Sequence, residues 1–77
     1  MSVRLDPDLL RYELAIRGIS AFDLAKLAHL SPATVSAALA GRPIAEASAR
    51  QIDKVLKATP PSEFLKRLIP PPPTGPA

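Results

Sequence analysis

Seventy-seven residues allow one domain with a modest core, and the 47% hydrophobic content rests on Ala and Leu, with two Phe, one Tyr and no Trp. The absence of cysteine excludes a disulfide framework and thiolate metal sites, and a single histidine, His29, cannot by itself form a metal site or a catalytic triad. A net charge of +3 suits a polyanionic partner. With no run resembling a signal peptide and nothing near the roughly 20 apolar residues of a membrane span, a cytoplasmic, nucleoid-associated protein is expected.

Ala and Leu are strong helix formers, so a helical bundle is expected rather than a sheet. Asp6-Pro7-Asp8 supplies an N-cap side chain, a first-turn proline and an acid at the positive end of the dipole. The first helix is expected to run to Arg17 and stop at Gly18, with Leu10 and Leu14 inward and Leu9, Tyr12 and Ile16 widening the apolar surface. Ser20 starts the second helix, with Asp23 three residues on as a short capping-box acid. Phe22, Leu24, Ala25, Leu27 and Ala28 crowd that segment, which is expected to be buried on most sides.

Ser31-Pro32 opens a third helix and Gly41 closes it, with Val35 and Leu39 inward. Only His29 and Leu30 separate the second helix from this cap, so the turn is tight. A fourth helix is expected from about Glu46 to Ala58, with Ile52, Val55 and Leu56 inward and Lys54 and Lys57 in its last turns. Pro60-Pro61 ends it, and Ser62 caps a short fifth helix over Glu63 to Ile69. Residues 70–77 are Pro-rich and expected to be a disordered or polyproline tail, leaving 1–69 as the domain.

The segment from Leu24 to Gly41 carries the functional reading. Two short helices crossing steeply need a small residue where they approach (Ala25), an apolar residue in the turn (Leu30) and an aliphatic plug in the second helix (Val35). Residues 21–40 therefore read as a helix-turn-helix. Here the chain resembles the phage-repressor-like, XRE-type family of lambda-type repressors and Cro. The resemblance lies in Leu24-Ala25, Leu30-Ser31-Pro32-Ala33-Thr34-Val35-Ser36 and Leu39-Ala40-Gly41, preceded by Arg17-Gly18-Ile19-Ser20, and spans about residues 5–58. It implies an all-α, four- to five-helix lambda-repressor-like bundle that binds double-stranded DNA as a transcriptional regulator.

The sequence departs from that family at the surface that would read bases. His29 stands where glycine is usual, Ala21 where Gln is common, and Ala37 and Ala40 where Arg or Asn is common. From Pro32 to Ala40 the only polar side chains are Thr34 and Ser36, while Ala33 and Ala37 offer only apolar contact to thymine methyl groups. Affinity dominated by phosphates and shape is expected. Candidate DNA-contacting residues are Ser20, Ala21, Lys26, Ser31, Pro32, Ala33, Thr34, Ser36, Ala37 and Arg42, with Arg4 as a flexible arm. For Lys26 and Arg42 taken singly, a solvated surface charge is the competing reading. Ser31 is first a helix cap, His29 a turn residue, and Phe22 and Tyr12 core residues rather than base-stacking platforms.

Phe64, Leu65, Leu68 and Ile69 make the fifth helix amphipathic, with Lys66 and Arg67 on the other side. Either residues 62–69 form a homodimer seam or Phe64 and Leu68 fold back as a lid, and the lid is favoured because a core this small needs one. Cofactor, small-molecule ligand and enzymatic activity are not expected, since no nucleophile, base or metal set is clustered. The alternative to a regulator is a protein-interaction or antitoxin-type module that keeps the fold with weak or no sequence-specific DNA reading.

Overall fold

A computed structural model describes residues 1–73; Thr74–Ala77, the end of the expected Pro-rich tail, lie outside the described residues. In chain order the elements are β1 (Ser2–Val3), α1 (Pro7–Ala15), α2 (Ala21–Ala28), α3 (Pro32–Leu39), β2 (Ile44–Ala45), α4 (Glu46–Ala58) and α5 (Glu63–Leu68). Among the described residues, α1 to α4 and β2 supply the core, and the two short strands pair antiparallel, Ser2 opposite Ala45 and Val3 opposite Ile44. None of the described helices is long and apolar enough to cross a membrane.

Local chemistry sets the helix ends. Asp6 Oδ1 accepts from the N–H groups of Asp8 at 3.0 Å and Leu9 at 3.2 Å, while Pro7 fills the first position without forfeiting a bond. The next three C-termini share one arrangement. A residue in the left-handed region reverses the chain at Gly18 (φ 66°), His29 (φ 57°) and Gly41 (φ 73°). In each case the following N–H reaches back five residues: Ile19 to the Leu14 carbonyl at 3.0 Å, Leu30 to Ala25 at 2.9 Å, Arg42 to Ala37 at 2.9 Å. These paired bonds satisfy carbonyls that the helix cannot. Regular helix in α1 ends at Ala15, short of the expected Arg17, because the tighter bonds Arg17 N–H to Leu14 and Gly18 N–H to Ala15 wind its last turn into the reversal.

The two ends of α4 are completed by other parts of the chain. Its N-cap residue, Ala45, has no capping side chain, and the Glu46 N–H donates instead to the Met1 carbonyl at 3.0 Å. At the other end Arg17 acts as a cap. Its Nε donates to the carbonyls of Leu56 (3.1 Å) and Thr59 (2.7 Å), and its Nη1 to the carbonyl and carboxylate of Glu13 (2.9 and 2.7 Å). The Arg17 side chain is only 11% exposed, yet all these bonds hold it to acceptors that lack helical partners or carry charge.

Leu10, Leu14, Leu24, Ala25, Ala28, Val35, Ala38, Ile44, Ile52 and Val55 form the core, with α2 packed on both α3 and α4. Three expectations are corrected. Burial of α2 on most sides fails: Phe22 is 65% exposed and Leu27 is also exposed. Phe22 precedes Leu24 by two residues, about 200° round the helix, so it cannot share the face of Leu24, Ala25 and Ala28.

The lid over the core is not Phe64 and Leu68, which are 66% and 61% exposed. Ser62 N–H donates to the Ile16 carbonyl at 2.8 Å, which sets the rotation of α5 so that Leu65 and Ile69 are the half-buried residues. Leu65 Cδ1 packs 3.6 Å from where a β-carbon on Gly18 would stand. Nor is Arg4 part of a free arm, since the preceding Ser2 and Val3 are tied into the ladder with β2. Pro70–Pro73 form no helix, as expected, and Pro70 and Pro72 lie in a hollow with the half-buried Tyr12.

Candidate nucleic-acid interface

The expected site residues lie along α2, the His29–Ser31 turn, α3 and the following loop. Ser20 and Asp23 form a reciprocal capping box: Asp23 N–H donates to Ser20 Oγ at 3.0 Å, and Ser20 N–H to Asp23 Oδ2 at 3.3 Å. Ser31 caps α3, accepting from the Thr34 N–H at 3.1 Å, and its hydroxyl also bonds the Thr34 hydroxyl at 2.9 Å. Thr34 is therefore half-buried and engaged, so its hydroxyl is less free than a bare count of polar residues implies. Ser36 is exposed and is the less restrained hydroxyl of α3.

Ala21, Pro32 and Ala33 are exposed, and Ala37 is half-buried. Lys26 is exposed with its Nζ 5.4 Å from the centre of the Phe22 ring. That distance permits a cation–π contact, which gives exposed Phe22 a role beside Lys26 instead of in the core. Arg42 is exposed, and its backbone is held by the bond to Ala37 that closes α3. His29, standing where glycine is usual, does adopt the left-handed conformation of a turn residue, and its exposed side chain stands outside the core.

Ala33, Thr34 and Ala37 are brought together in one shallow hollow of about 270 Å³, walled on its far side by Pro43, Ile44, Ala45 and Ser48. Ser20, Ala21 and Lys26 do not line it. Ser48 escaped sequence reasoning. Only the β1–β2 ladder and the packing of α4 bring it opposite α3, and nothing in the local pattern of Glu46-Ala47-Ser48 marks it.

A second feature could have been read earlier. From Leu24 to Ala45 no residue carries a carboxylate, while Lys26 and Arg42 lie within that stretch. The ion pairs among the described residues are Asp8–Arg11, Glu13–Arg17, Glu46–Arg50 and Asp53–Lys57, all within α1, at its end, or within α4. Lys26 and Arg42 form no ion pair among the described residues, and the one acid of α2, Asp23, is held in the capping box with Ser20, whereas α1 and α4 pair basic side chains with their own acids. A surface with this balance attracts a polyanion.

No family model, curated protein or solved structure matches this chain.

Proposed function

We propose that the chain is a DNA-binding regulator of the helix-turn-helix class, with α2 as the supporting helix and α3 presented to the major groove. The observation that carries this reading is the carboxylate-free stretch Leu24–Ala45, which covers α2 beyond its capping acid Asp23, the tight turn and the whole of α3. Buried Ala25 and Val35 and half-buried Leu30 occupy the positions that such a crossing requires. Ser20, Ser31, Lys26 and Arg42 then serve phosphates, through helix N-termini and side-chain charge. The face of α3 offers few hydrogen-bonding groups, so phosphate contacts dominate affinity.

The test is binding to duplex DNA from a random pool, followed by fluorescence anisotropy over a range of salt. Affinity should fall linearly on logarithmic axes, and Arg42→Ala should weaken binding on every sequence while reducing the slope by about 0.9, the share of one phosphate. Binding indifferent to salt refutes the phosphate-dominated mode.

A second reading, an interaction or antitoxin-type module, is favoured by the exposed Phe64 and Leu68 of α5. The same pair suits a homodimer seam over residues 62–69, which on DNA would place half-sites about 34 Å apart. Light scattering with and without duplex separates a dimer from a monomer, and copurification of a stoichiometric second protein without DNA affinity favours the interaction module.

A further inference from the structure

We propose that copies of this chain associate by a knob-into-groove contact, in which the exposed ridge of α5 in one copy seats in the groove between α1 and α4 of another. The groove is an open hollow of about 210 Å³ lined by Leu9, Leu10, Ile52 and Leu56, of which Leu9 is exposed. Asp6, Glu13 and Asp53 also line it, and no Lys or Arg does. Three of the seven acids of a chain with net charge +3 are thus collected at one apolar groove. Glu13 is engaged by Arg17, and Asp6 has no ion pair among the described residues. Asp53 pairs with Lys57, but both side chains are exposed, so Asp53 can exchange partners at small cost.

The ridge of α5 has the complementary chemistry. Phe64 and Leu68 lie one turn apart and are both exposed, and Arg67, three residues after Phe64, flanks them. Arg67 forms no ion pair among the described residues. A cavity of roughly 150 Å³ holds a benzene ring, so the groove has room for the Phe64 ring, with Leu68 at its mouth and Arg67 toward the acids. The chain cannot make this contact with itself. The bond from Ser62 to Ile16 and the packing of Leu65 toward Gly18 turn Phe64 and Leu68 outward. α1 also stands between the two features: Leu9 and Glu13 line the groove, whereas Tyr12 and Ala15 line the hollow that holds Ile69 at the end of α5. A two-fold seam of α5 on α5 would instead bring the Arg67 side chains of both copies to one interface and leave the groove wet. Neither surface belongs to the α2–α3 region, so the contact is independent of DNA binding.

Analytical ultracentrifugation of the whole chain, without DNA, tests this. The native chain should self-associate as its concentration rises, and Phe64→Glu or Leu9→Lys should each weaken association at least about tenfold. Both positions are exposed, so far-UV circular dichroism should match that of the native chain. Mixed in equal amounts, the two variants should pair one to one, because the Phe64→Glu chain keeps a sound groove and the Leu9→Lys chain a sound ridge. A misfolded variant could not give that rescue. Arg67→Glu should weaken association at low salt, and Asp53→Lys in the same chain should restore it. A native chain that stays monomeric at millimolar concentration overturns the proposal and leaves the groove to a basic helix of another protein. Self-association indifferent to Leu9→Lys, or folded variants that do not pair when mixed, overturns the contact in favour of an α5 seam.

Discussion

Replacing Arg17 by Ala removes a side chain that joins the end of α1 to the end of α4. In the native chain the guanidinium serves four acceptors within 3.1 Å, two of them the carbonyls of Leu56, in the last turn of α4, and of Thr59, just beyond it. Each buried carbonyl deprived of its partner costs about 1–3 kcal/mol. Water reaches part of this region, so the lower half of that range applies, and the sum over the two carbonyls is about 2–4 kcal/mol. A chain of this length is expected to be stable by about 4–12 kcal/mol in all, so the loss is a large fraction. With a urea slope of about 1 kcal/mol/M, the unfolding midpoint followed by circular dichroism should fall by about 2–4 M.

Two companions decide whether Arg17 acts as a cap or as half of an ion pair. Arg17→Lys, which has no planar fork, should lose about 1–2 kcal/mol. Glu13→Gln keeps both α4 contacts and should lose no more than about 1 kcal/mol, since the pair is partly exposed. If Glu13→Gln costs more than Arg17→Ala, the ion pair matters and the capping argument fails. A loss below about 0.5 kcal/mol for Arg17→Ala refutes it outright, being the usual size of a neutral surface change.

His29→Gly should raise the melting temperature by about 2–6 °C, because relief of a left-handed backbone worth about 1–2 kcal/mol outweighs the added freedom of the unfolded chain; His29→Val should lower it. Deleting residues 1–3 removes β1 and the Met1 carbonyl that receives the Glu46 N–H, and uncovers Ile44. The expected loss is about 1–2 kcal/mol, with the Glu46 amide becoming fast in hydrogen exchange; full protection there would show that the ladder is dispensable.

Every helix start that depended on a nearby side chain was legible in the sequence. Asp6, Ser20, Ser31 and Ser62 each bond an N–H within three residues, so their effect follows from covalent spacing alone. The stops at Gly18 and Gly41 were equally plain, as was α4 from Glu46 to Ala58. The candidate site was legible in part. The residues of α3 could be placed in order, but not the half-burial of Thr34 and Ala37, nor Ser48 facing them. The rotation of α5 and the outward turn of Phe22 were misjudged, because an apolar residue on a short helix does not say which of two faces meets the core.

The amino-acid order by itself therefore determined where helices begin and end, and that the stretch from Leu24 to Ala45 holds basic residues and no acids. Caps, left-handed reversals and charge are properties of a few neighbouring residues, and they survive in any fold the chain adopts. Only the tertiary structure decided that Arg17 would cap α4, that Met1 would complete its start, that Leu65 and not Phe64 would turn inward against Gly18, and that Ser48 would close the hollow beside α3. Each of these joins atoms far apart in the chain. Their meeting depends on how the helices pack, and packing is settled by the shape of the whole core.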